Sequence, residues 1–250
     1  MTQSVALVTG AARGIGLATT KLFLEEGRHV IMVDRDGEAL LPEAEALENV
    51  TPIVRDVSIP SDVDAMVAQV TQDIGRVDAL VNNAGVADFG PIEETTFDRW
   101  RTVMATNLDG VFLMSQAFTP LLKESNGTIV NIASISGLRA STLRVAYGTS
   151  KAAVIHLTQQ QAAELGEYGI RANCVAPGPV RTKLAMAVHT QEIIDAYHDA
   201  IPLNRYGSEV EIANVIAFLC SDKASFVTGQ LISSDGGFES TGIGLPALRN

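Results

Sequence analysis

The chain has 250 residues, of which 46% are hydrophobic and 19% charged, as in a globular protein with a sizeable core. Its net charge of -11 argues against nucleic acid or an anionic membrane as a partner. Two cysteines, Cys174 and Cys220, are too few for a disulfide framework, and we expect both to be buried free thiols. No stretch approaches the ~20 apolar residues of a membrane-spanning helix, and no leader precedes the first apolar run, so we expect a cytoplasmic protein.

Short apolar runs alternate with segments of helical periodicity along the chain. The predicted strands are Ser4–Thr9, His29–Asp34, Thr51–Arg55, Ala79–Asn82, Thr128–Ala133, Ile170–Ala176 and Gln230–Ser233. The predicted helices are Gly14–Glu26, Glu38–Glu48, Ile59–Ile74, Phe97–Lys123, Tyr147–Glu167 and Val210–Cys220. Strands this apolar must be covered on both faces, which predicts a parallel sheet between helical layers. Since no repeat, linker or composition break divides the chain, we predict a single domain over residues 1–250.

The segment from about Arg181 to Tyr206 interrupts this alternation late in the chain. It carries a helical pattern between Pro177-Gly178 and Pro202. Insertions of this kind are either lids over a site or surface decoration. We predict a substrate lid at about residues 181–206.

A glycine-rich turn, Gly10-Ala11-Ala12-Arg13-Gly14-Ile15-Gly16, follows the first strand and opens the first helix. Glycines permit a tight turn, let a diphosphate approach the backbone and leave the N–H groups of the helix N-terminus free for an anion. The spacing is GxxxGxG rather than GxGxxG, and glycine can occur in any strand-to-helix turn. Its position after the first strand of an alternating chain favours a dinucleotide site.

Asp34 ends the second strand, 18 residues beyond Gly16, close to where a ribose-binding carboxylate belongs. The alternative interpretation is a helix N-cap. A carboxylate on the ribose hydroxyls would repel a 2′-phosphate, which predicts NAD rather than NADP. Arg13 and Arg35 oppose this preference, since either could pair with that phosphate. The carboxylate should outweigh them by ~1–2 kcal/mol, about a tenfold preference.

Two further polar sets end neighbouring strands. Asp56-Val57 follows the third strand, and Asn82-Asn83-Ala84-Gly85 ends the fourth. Both would lie at the carboxyl edge of the sheet, beside the crevice where the strand order reverses. Asp56 is either an acceptor for the adenine amino group or a turn aspartate before Pro60.

The most informative pattern is Tyr147-Gly148-Thr149-Ser150-Lys151, in which an i,i+4 spacing places a phenol and an ammonium on one helix face. A cation beside a tyrosine stabilises its phenolate, which makes the phenol a proton carrier near neutral pH. Taken alone, a Tyr-xxx-Lys spacing is common and usually structural. Ser134, at the end of the fifth strand, adds a hydroxyl at the same edge of the sheet.

With Ser134 included, the chain resembles the short-chain dehydrogenase/reductase family over nearly all of its length. The matching elements are Thr9-Gly10-xxx-Gly14-Ile15-Gly16, Asp34, Asp56, Asn82-Asn83-Ala84-Gly85, Asn107, Ser134, Tyr147-xxx-Lys151 and Asn173-x-Val175-x-Pro177-Gly178. The resemblance implies a Rossmann-like, doubly wound α/β fold with seven parallel strands in the order 3-2-1-4-5-6-7. It also implies a homotetramer.

The resemblance implies a role for each reactive residue. Tyr147 would be the general acid/base, and Ser134 would hold the substrate oxygen by a hydrogen bond. Lys151 would bind the nicotinamide ribose and lower the pKa of Tyr147, while Asn107 would help to hold a water linking Lys151 to solvent. The predicted cofactor-binding residues are Gly10, Arg13, Gly14, Ile15, Gly16, Asp34, Asp56, Val57, Asn83, Tyr147, Lys151, Pro177, Val180 and Thr182, and no metal ligand is predicted.

The segments after Ser134, before Tyr147 and within the lid are expected to face the substrate. They contain Ser136, Arg139, Arg144, Met186, His189, Tyr197, His198 and Tyr206. The two arginines would either bind an anionic or polyhydroxylated substrate or simply be exposed to solvent. Few aromatic residues fall in these segments, which favours a small polar substrate over a steroid or a large aromatic one.

Together these features predict NAD-dependent oxidation of a secondary alcohol in a sugar, polyol or hydroxy acid. The alternative is an NADPH-dependent 3-oxoacyl thioester reductase. Asp34 counts against it, as does Tyr168, which stands before Gly169 where many such reductases carry an arginine for the acidic carrier protein. A non-catalytic, dinucleotide-sensing module is less favoured, because the reactive set is intact.

Overall fold

Seven parallel strands form one sheet in the order β3-β2-β1-β4-β5-β6-β7 in this computed structural model, which describes residues 3–182, 186 and 189–241. The strands are β1 Val5–Thr9, β2 His29–Asp34, β3 Val50–Val54, β4 Ala79–Asn82, β5 Thr128–Ile132, β6 Arg171–Pro177 and β7 Leu231–Ser234. The predicted fold class and strand order are confirmed. The strand order reverses between β1 and β4, and this crevice is where open α/β sheets bind their ligands.

Helices connect the strands and cover both faces of the sheet. Their bounds in the described part of the chain are α1 Gly14–Glu25, α2 Gly37–Glu45, α3 Pro60–Asp73, α4 Phe97–Met104, α5 Gly110–Ser125, α6 Val145–Leu165, α7 Gln191–Ala200 and α8 Glu209–Leu219. The single helix predicted over Phe97–Lys123 is wrong in one respect. A π turn at Ala105–Asp109 separates α4 from α5, and such turns are frequent at functional sites.

The alternation of side chains along each strand divides the core into two main layers. In β1, Ala6 and Val8 pack on the side of α1 and α8, where they meet Phe23. Leu7 packs on the opposite side with α3 and α5, where it meets Phe118. Burial of each large apolar side chain stabilises the fold by ~1.5–3 kcal/mol. The sheet is therefore held rigidly from both faces, which fixes the loops at its carboxyl edge.

Two predictions from composition can be compared with this fold. Cys174 and Cys220 are both buried and free, as expected. Among the residues that the structure describes, no helix has the length and apolar character needed to cross a membrane.

The predicted lid segment, residues 181–206, is described only in part. It contains α7, whereas residues 183–185, 187 and 188 lie outside the described part of the chain. Its role as a lid and the single-domain assignment stay predictions.

Candidate active site

The carboxyl ends of the parallel strands bring the predicted site residues to one edge of the sheet. A cleft of about 910 Å³ opens there. Predicted cofactor residues that line it are Gly10, Arg13, Gly14, Ile15, Asp34, Asp56, Val57, Asn83 and Thr182. The glycine turn, the Asp34 carboxylate and the predicted residues after the third and fourth strands thus share one cavity.

The glycine turn can accept a diphosphate because side chains are excluded from it. Gly10 has a φ of +64°, and a Cβ there would lie 2.9 Å from the Cα of Ala84. A Cβ on Gly16 would overlap the carbonyl oxygen of Gly10 and lie 2.7 Å from Nδ2 of Asn83. Helix α1 begins at Gly14, which lines the cleft. No side chain caps this end of the helix, so the N–H groups of its first turn are available to an anion in the cleft.

Asn83 braces this turn. Its Nδ2 atom donates to the carbonyl oxygens of Thr9 and Gly10 at 2.9 and 3.2 Å. The Thr9 hydroxyl oxygen accepts from the backbone N–H groups of Asn83 and Ala84, both at 3.0 Å. These bonds tie the loop after β1 to the loop after β4, so the amide of Asn83 shapes the site from behind as well as lining it.

The Asp34 carboxylate is held at the end of β2 by two backbone donors. Its Oδ2 accepts from the N–H of Ala12 at 3.1 Å, and its Oδ1 accepts from the N–H of Asp36 at 3.0 Å. Asp34 is not the cap of α2, because that role belongs to Asp36, which accepts from the N–H of Ala39. The carboxylate lines the cleft, as a ribose-binding group would.

Both arginines that were expected to favour a 2′-phosphate have carboxylate partners. Arg13 pairs with Asp36, and Nη1 of Arg35 lies 3.3 Å from Oδ2 of Asp56. Hydrogen bonding to Arg13 holds the pKa of Asp36 below its usual range. Exposed pairs of this kind contribute only ~0–1 kcal/mol, so they weaken the attraction for a phosphate without abolishing it.

Asp56 combines its two predicted roles. Its Oδ1 accepts from the backbone N–H and the hydroxyl of Ser58 at 2.9 and 2.7 Å, which is the hydrogen bonding of an Asx turn. Burial raises its pKa, but the bonds from Ser58 and Arg35 outweigh burial and leave the pKa lowered. The turn role is thus observed, and contact with adenine stays a prediction.

Ser134 and Tyr147 meet on the substrate side of the edge. Ser134 is buried two residues after the end of β5, and its Oγ accepts from the N–H of Ser136 at 3.2 Å. Tyr147, in the first turn of α6, shares a hydrogen bond with the Ser134 hydroxyl. Burial raises the pKa of Tyr147, and the Ser134 bond and the charge of Arg144 oppose the rise without cancelling it.

Lys151 lies on the same helix with only 4% of its surface exposed. Its Nζ donates to the carbonyl of Ile132 at 2.7 Å and lies 5.9 Å from the ring centroid of Tyr147. Burial lowers the pKa of Lys151 to about 8. A Cβ on Gly85 would lie 3.4 Å from this Nζ, so the absence of a side chain there keeps the ammonium next to the dinucleotide cleft. The predicted lowering of the Tyr147 pKa by Lys151 stays a prediction.

Asn107 occupies the π turn and is completely buried. Its Nδ2 donates to the carbonyl of Val86 at 2.9 Å and to the hydroxyl of Ser150 at 3.1 Å. Its Oδ1 accepts from the N–H of Val86 at 2.8 Å. The amide therefore joins the loop after β4 to α6 beside Lys151, while its predicted role in holding a water stays untested.

The predicted nicotinamide-binding residues follow β6. Pro177 is the last residue of that strand. Val180 forms a parallel bridge with Gly207, and the N–H of Arg181 donates to the Gly207 carbonyl at 2.9 Å. This bridge fixes the entry to the predicted lid and holds Thr182 at the cleft.

An aromatic cluster on the substrate side was not predicted as such. The Tyr206 hydroxyl lies 2.9 Å from Nδ1 of His189, and the ring centroid of Tyr197 lies 5.7 Å from both rings. Phe238, which follows β7, lies 6.0 Å from Tyr197. Burial raises the pKa of Tyr206 to about 12. His189, Tyr197 and Tyr206 lie in the predicted lid, whereas Phe238 comes from a later segment, so no local pattern predicted the complete cluster.

A family profile described as "Enoyl-(Acyl carrier protein) reductase" matches residues 10–239. The chain belongs to the short-chain dehydrogenase/reductase family. It is therefore an oxidoreductase that uses a nicotinamide cofactor, and the glycine turn with its carboxylate fits such a dinucleotide.

Relatives within this family differ in substrate. The chain is 41% identical over 238 residues to the 3-oxoacyl-acyl-carrier-protein reductase FabG of Thermotoga maritima, covering 93% of this chain and 96% of that protein. It is 38% identical over 241 residues to the meso-2,3-butanediol dehydrogenase of Serratia marcescens, covering 94% of each. The structure of 4-hydroxyisoleucine dehydrogenase complexed with NADH superimposes with a TM-score of 0.91 at 32% identity, covering 96% of this chain and 100% of that chain.

Proposed function

We propose that the protein is an NAD-dependent dehydrogenase that oxidises a secondary alcohol in a small polar molecule, such as a sugar, polyol or hydroxy acid. The observation that carries the proposal is the Asp34 carboxylate, which two backbone N–H groups hold in the cleft at 3.0 and 3.1 Å. The carboxylate would accept from the ribose hydroxyls and repel a 2′-phosphate. Arg13 and Arg35, the two cations expected to favour that phosphate, are paired with Asp36 and Asp56.

The side chains of this site perform the proton chemistry of the reaction. Bound NAD supplies the acceptor for the hydride that leaves the carbinol carbon. Tyr147, as phenolate, takes the hydroxyl proton, and the Ser134 hydroxyl donates to the developing carbonyl oxygen. Lys151 binds the nicotinamide ribose, and its charge favours the phenolate. Asn107 keeps α6 and the loop after β4 in register around Lys151.

The second candidate is the NADPH-dependent reduction of a 3-oxoacyl thioester. The similarity to FabG favours it. Lys123 also favours it: Tyr168 stands where many such reductases carry an arginine, but the Nζ of Lys123 lies 3.3 Å from the ring centroid of Tyr168 and supplies a cation beside that position. Asp34 remains the argument against it. A purely sensing module is disfavoured because Ser134, Tyr147 and Lys151 are all in place.

The remaining predictions belong to this proposal. We infer a homotetramer from family resemblance, and we keep a cytoplasmic location and a small-molecule substrate, rather than a nucleic acid or membrane partner, as parts of the proposal. A net charge of -11 supports the last point.

The decisive experiment follows the ultraviolet absorbance of reduced nicotinamide with NAD and NADP across sugars, polyols, hydroxy acids and simple secondary alcohols. We expect NAD reduction with one substrate class. Tyr147→Phe should abolish turnover and leave NAD binding by calorimetry unchanged, because the phenol serves the proton transfer. Turnover only as NADPH oxidation with 3-oxoacyl thioesters would establish the second candidate and reject the first.

A further inference from the structure

Arg144 stands at the entrance of the substrate side, three residues before Tyr147 and directly before α6. The preceding residue, Leu143, has an unfavourable backbone conformation, with a φ of +61°. Branched side chains rarely adopt this left-handed region, and such outliers cluster at functional sites. The Leu143 carbonyl accepts from the N–H of Gly90 at 3.0 Å, and Gly90 also forms a bridge with Arg144. The fold therefore holds Arg144 in one place.

The guanidinium of Arg144 extends toward the residues that receive the substrate. Its Nη1 lies 3.4 Å from Oγ of Ser136, and its Cζ lies 5.0 Å from the ring centroid of Phe89. Ser136 is buried, and its own N–H donates to Oγ of Ser134. One residue thus separates the guanidinium from the hydroxyl that polarises the substrate oxygen.

The electrostatic effect of Arg144 reaches the same pocket. Its charge opposes the burial that raises the pKa of Tyr147 and of Tyr206. It adds to the burial that lowers the pKa of His189. The charge of Arg144 therefore acts on the reactive phenol and on two side chains of the aromatic cluster.

No carboxylate of the described residues lies within ion-pair distance of Arg144. The residues outside the described part include no Asp or Glu, so no acidic side chain elsewhere in the sequence takes that place. Arg139, the other arginine predicted to face the substrate, differs. It donates to the backbone carbonyl of Glu239, and its Nε lies 3.9 Å from Oε1 of the Glu239 side chain. In a chain with 29 acidic residues, a partly buried cation without an acidic partner is suited to an anionic ligand.

We propose that Arg144 binds an anionic oxygen group of the substrate, so that the alcohol oxidised beside Tyr147 belongs to a hydroxy acid. This inference rests on the proposed dehydrogenase function and narrows its substrate class. A carboxylate matches the planar guanidinium fork through two charge-assisted hydrogen bonds. Sulfonates and phosphate monoesters share this chemistry, and the experiment separates them.

The test compares substrates that differ only in charge: 2-, 3- and 4-hydroxy acids, each with its amide, and the matching hydroxysulfonates and phosphate esters. Initial rates with NAD are measured for the wild type, Arg144→Gln, Arg144→Lys and Arg139→Gln. Arg139→Gln is the matched control, because it removes an arginine of the same region that already has a partner. Thermal unfolding of each variant shows whether it folds.

We expect kcat/KM of the wild type to be higher for one hydroxy acid than for its amide. Arg144→Gln should lower kcat/KM for the acid by about tenfold to a hundredfold, mainly through KM, because a charge-assisted pair is lost. The amide should change by less than about threefold. Arg144→Lys should recover part of the loss, and Arg139→Gln should behave as the wild type.

A second readout does not depend on turnover. Calorimetry measures the binding of the corresponding alkanoate, which lacks the hydroxyl, to the enzyme saturated with NADH. The wild type should bind the alkanoate at least about tenfold more tightly than Arg144→Gln does, and both should bind NADH with equal affinity. Weaker NADH binding in Arg144→Gln would place the arginine at the cofactor and contradict the proposal.

The outcomes separate this inference from the proposed function. Tyr147-dependent oxidation of neutral diols, with Arg144→Gln and Arg139→Gln indistinguishable, would overturn the inference and keep the dehydrogenase. Preference for the sulfonate or phosphate ester, lost in Arg144→Gln, would keep the anion site and replace the carboxylate. Activity confined to NADPH and 3-oxoacyl thioesters would overturn the proposed function. The alkanoate binding would then decide the anion site alone.

Discussion

Asp34 shows at the scale of one residue how sequence position and local contacts combine. Its place at the end of β2 predicts a ribose ligand, and the structure shows why the carboxylate cannot turn away. The N–H groups of Ala12 and Asp36 hold one oxygen each. Lys151 is a second example, since its nearly complete burial lowers its pKa to about 8.

Asp34→Ser should reverse the cofactor preference. We expect kcat/KM for NAD to fall about tenfold or more and that for NADP to rise, because the repulsion of the 2′-phosphate is removed. Steady-state rates with both cofactors measure the ratio. Asp36→Ala is the control: it frees Arg13 and raises NADP use while the ribose carboxylate stays. An unchanged ratio in Asp34→Ser would contradict the assignment of NAD.

Lys151→Met should flatten the dependence of stability on pH. Burial lowers the pKa of Lys151 from 10.5 to about 8, so the unfolded chain binds more protons between these values. The free energy of unfolding of the wild type therefore rises with pH through this window. Relative to Lys151→Met, we expect a gain of roughly 3 kcal/mol from pH 8 to 10.5, measured by urea unfolding. Lys21→Met, at an exposed lysine, should show no such gain. If the difference in free energy of unfolding between the wild type and Lys151→Met stays constant with pH, the lowered pKa of a buried Lys151 ammonium is excluded.

At the scale of elements, two local features are informative: the π turn between α4 and α5, and the N-terminal cap of α8. The π turn at Ala105–Asp109 places Asn107 against Val86 and Ser150, which a continuous α-helix would not do in the same register. Helix α8 begins with a capping box, in which Ser208 and Glu211 each satisfy a backbone donor of the other. Hydrogen bonding to Arg205 lowers the pKa of Glu211 to about 2 and keeps the box charged.

Ser208→Ala should destabilise the protein by ~1 kcal/mol, because the N-terminus of α8 loses a hydrogen-bond acceptor. For a chain of this size the melting temperature should fall by about 2–4 °C. Differential scanning calorimetry measures both quantities. Ser225→Ala, at an exposed serine that follows a short turn, is the matched control and should melt with the wild type. Equal melting of the two variants would show that the cap contributes nothing.

At the scale of the whole molecule, parallel strands gather distant residues at one edge, and several large apolar side chains remain exposed. Phe97 and Phe112 lie on α4 and α5, with 73% and 48% of their surfaces exposed. Phe226, between α8 and β7, is fully exposed, and Phe218 on α8 is 42% exposed. Large exposed apolar side chains of this kind are typical of subunit interfaces where they form contiguous patches.

The protein is expected to form a homotetramer that uses these faces. Sedimentation equilibrium should give four times the mass of one chain. Phe112→Asp and Phe226→Asp should each shift the distribution toward smaller species, because a charge replaces apolar surface that would be buried between subunits. Leu41→Asp, at an exposed leucine on α2, is the control. A wild type that sediments as a single chain would refute the tetramer.

The sequence by itself determined the order of elements and the parallel sheet, and it predicted the reactive set. Apolar periodicity reports local burial, and the spacings of Gly10, Asp34, Ser134, Tyr147 and Lys151 are fixed by where strands end. These are properties of short stretches of chain, so a linear pattern carries them.

Only the tertiary structure decided which charges have partners. The sequence alone does not distinguish Arg144 from Arg13, Arg35 and Arg139. In the structure, the last three lie beside carboxylates that come from other segments. The contacts of Tyr197 with Phe238 and of Asn107 with Val86 and Ser150 likewise join residues far apart in sequence. Coulomb and packing energies depend on distances in space, and the folded sheet, with its loops brought to one edge, sets those distances.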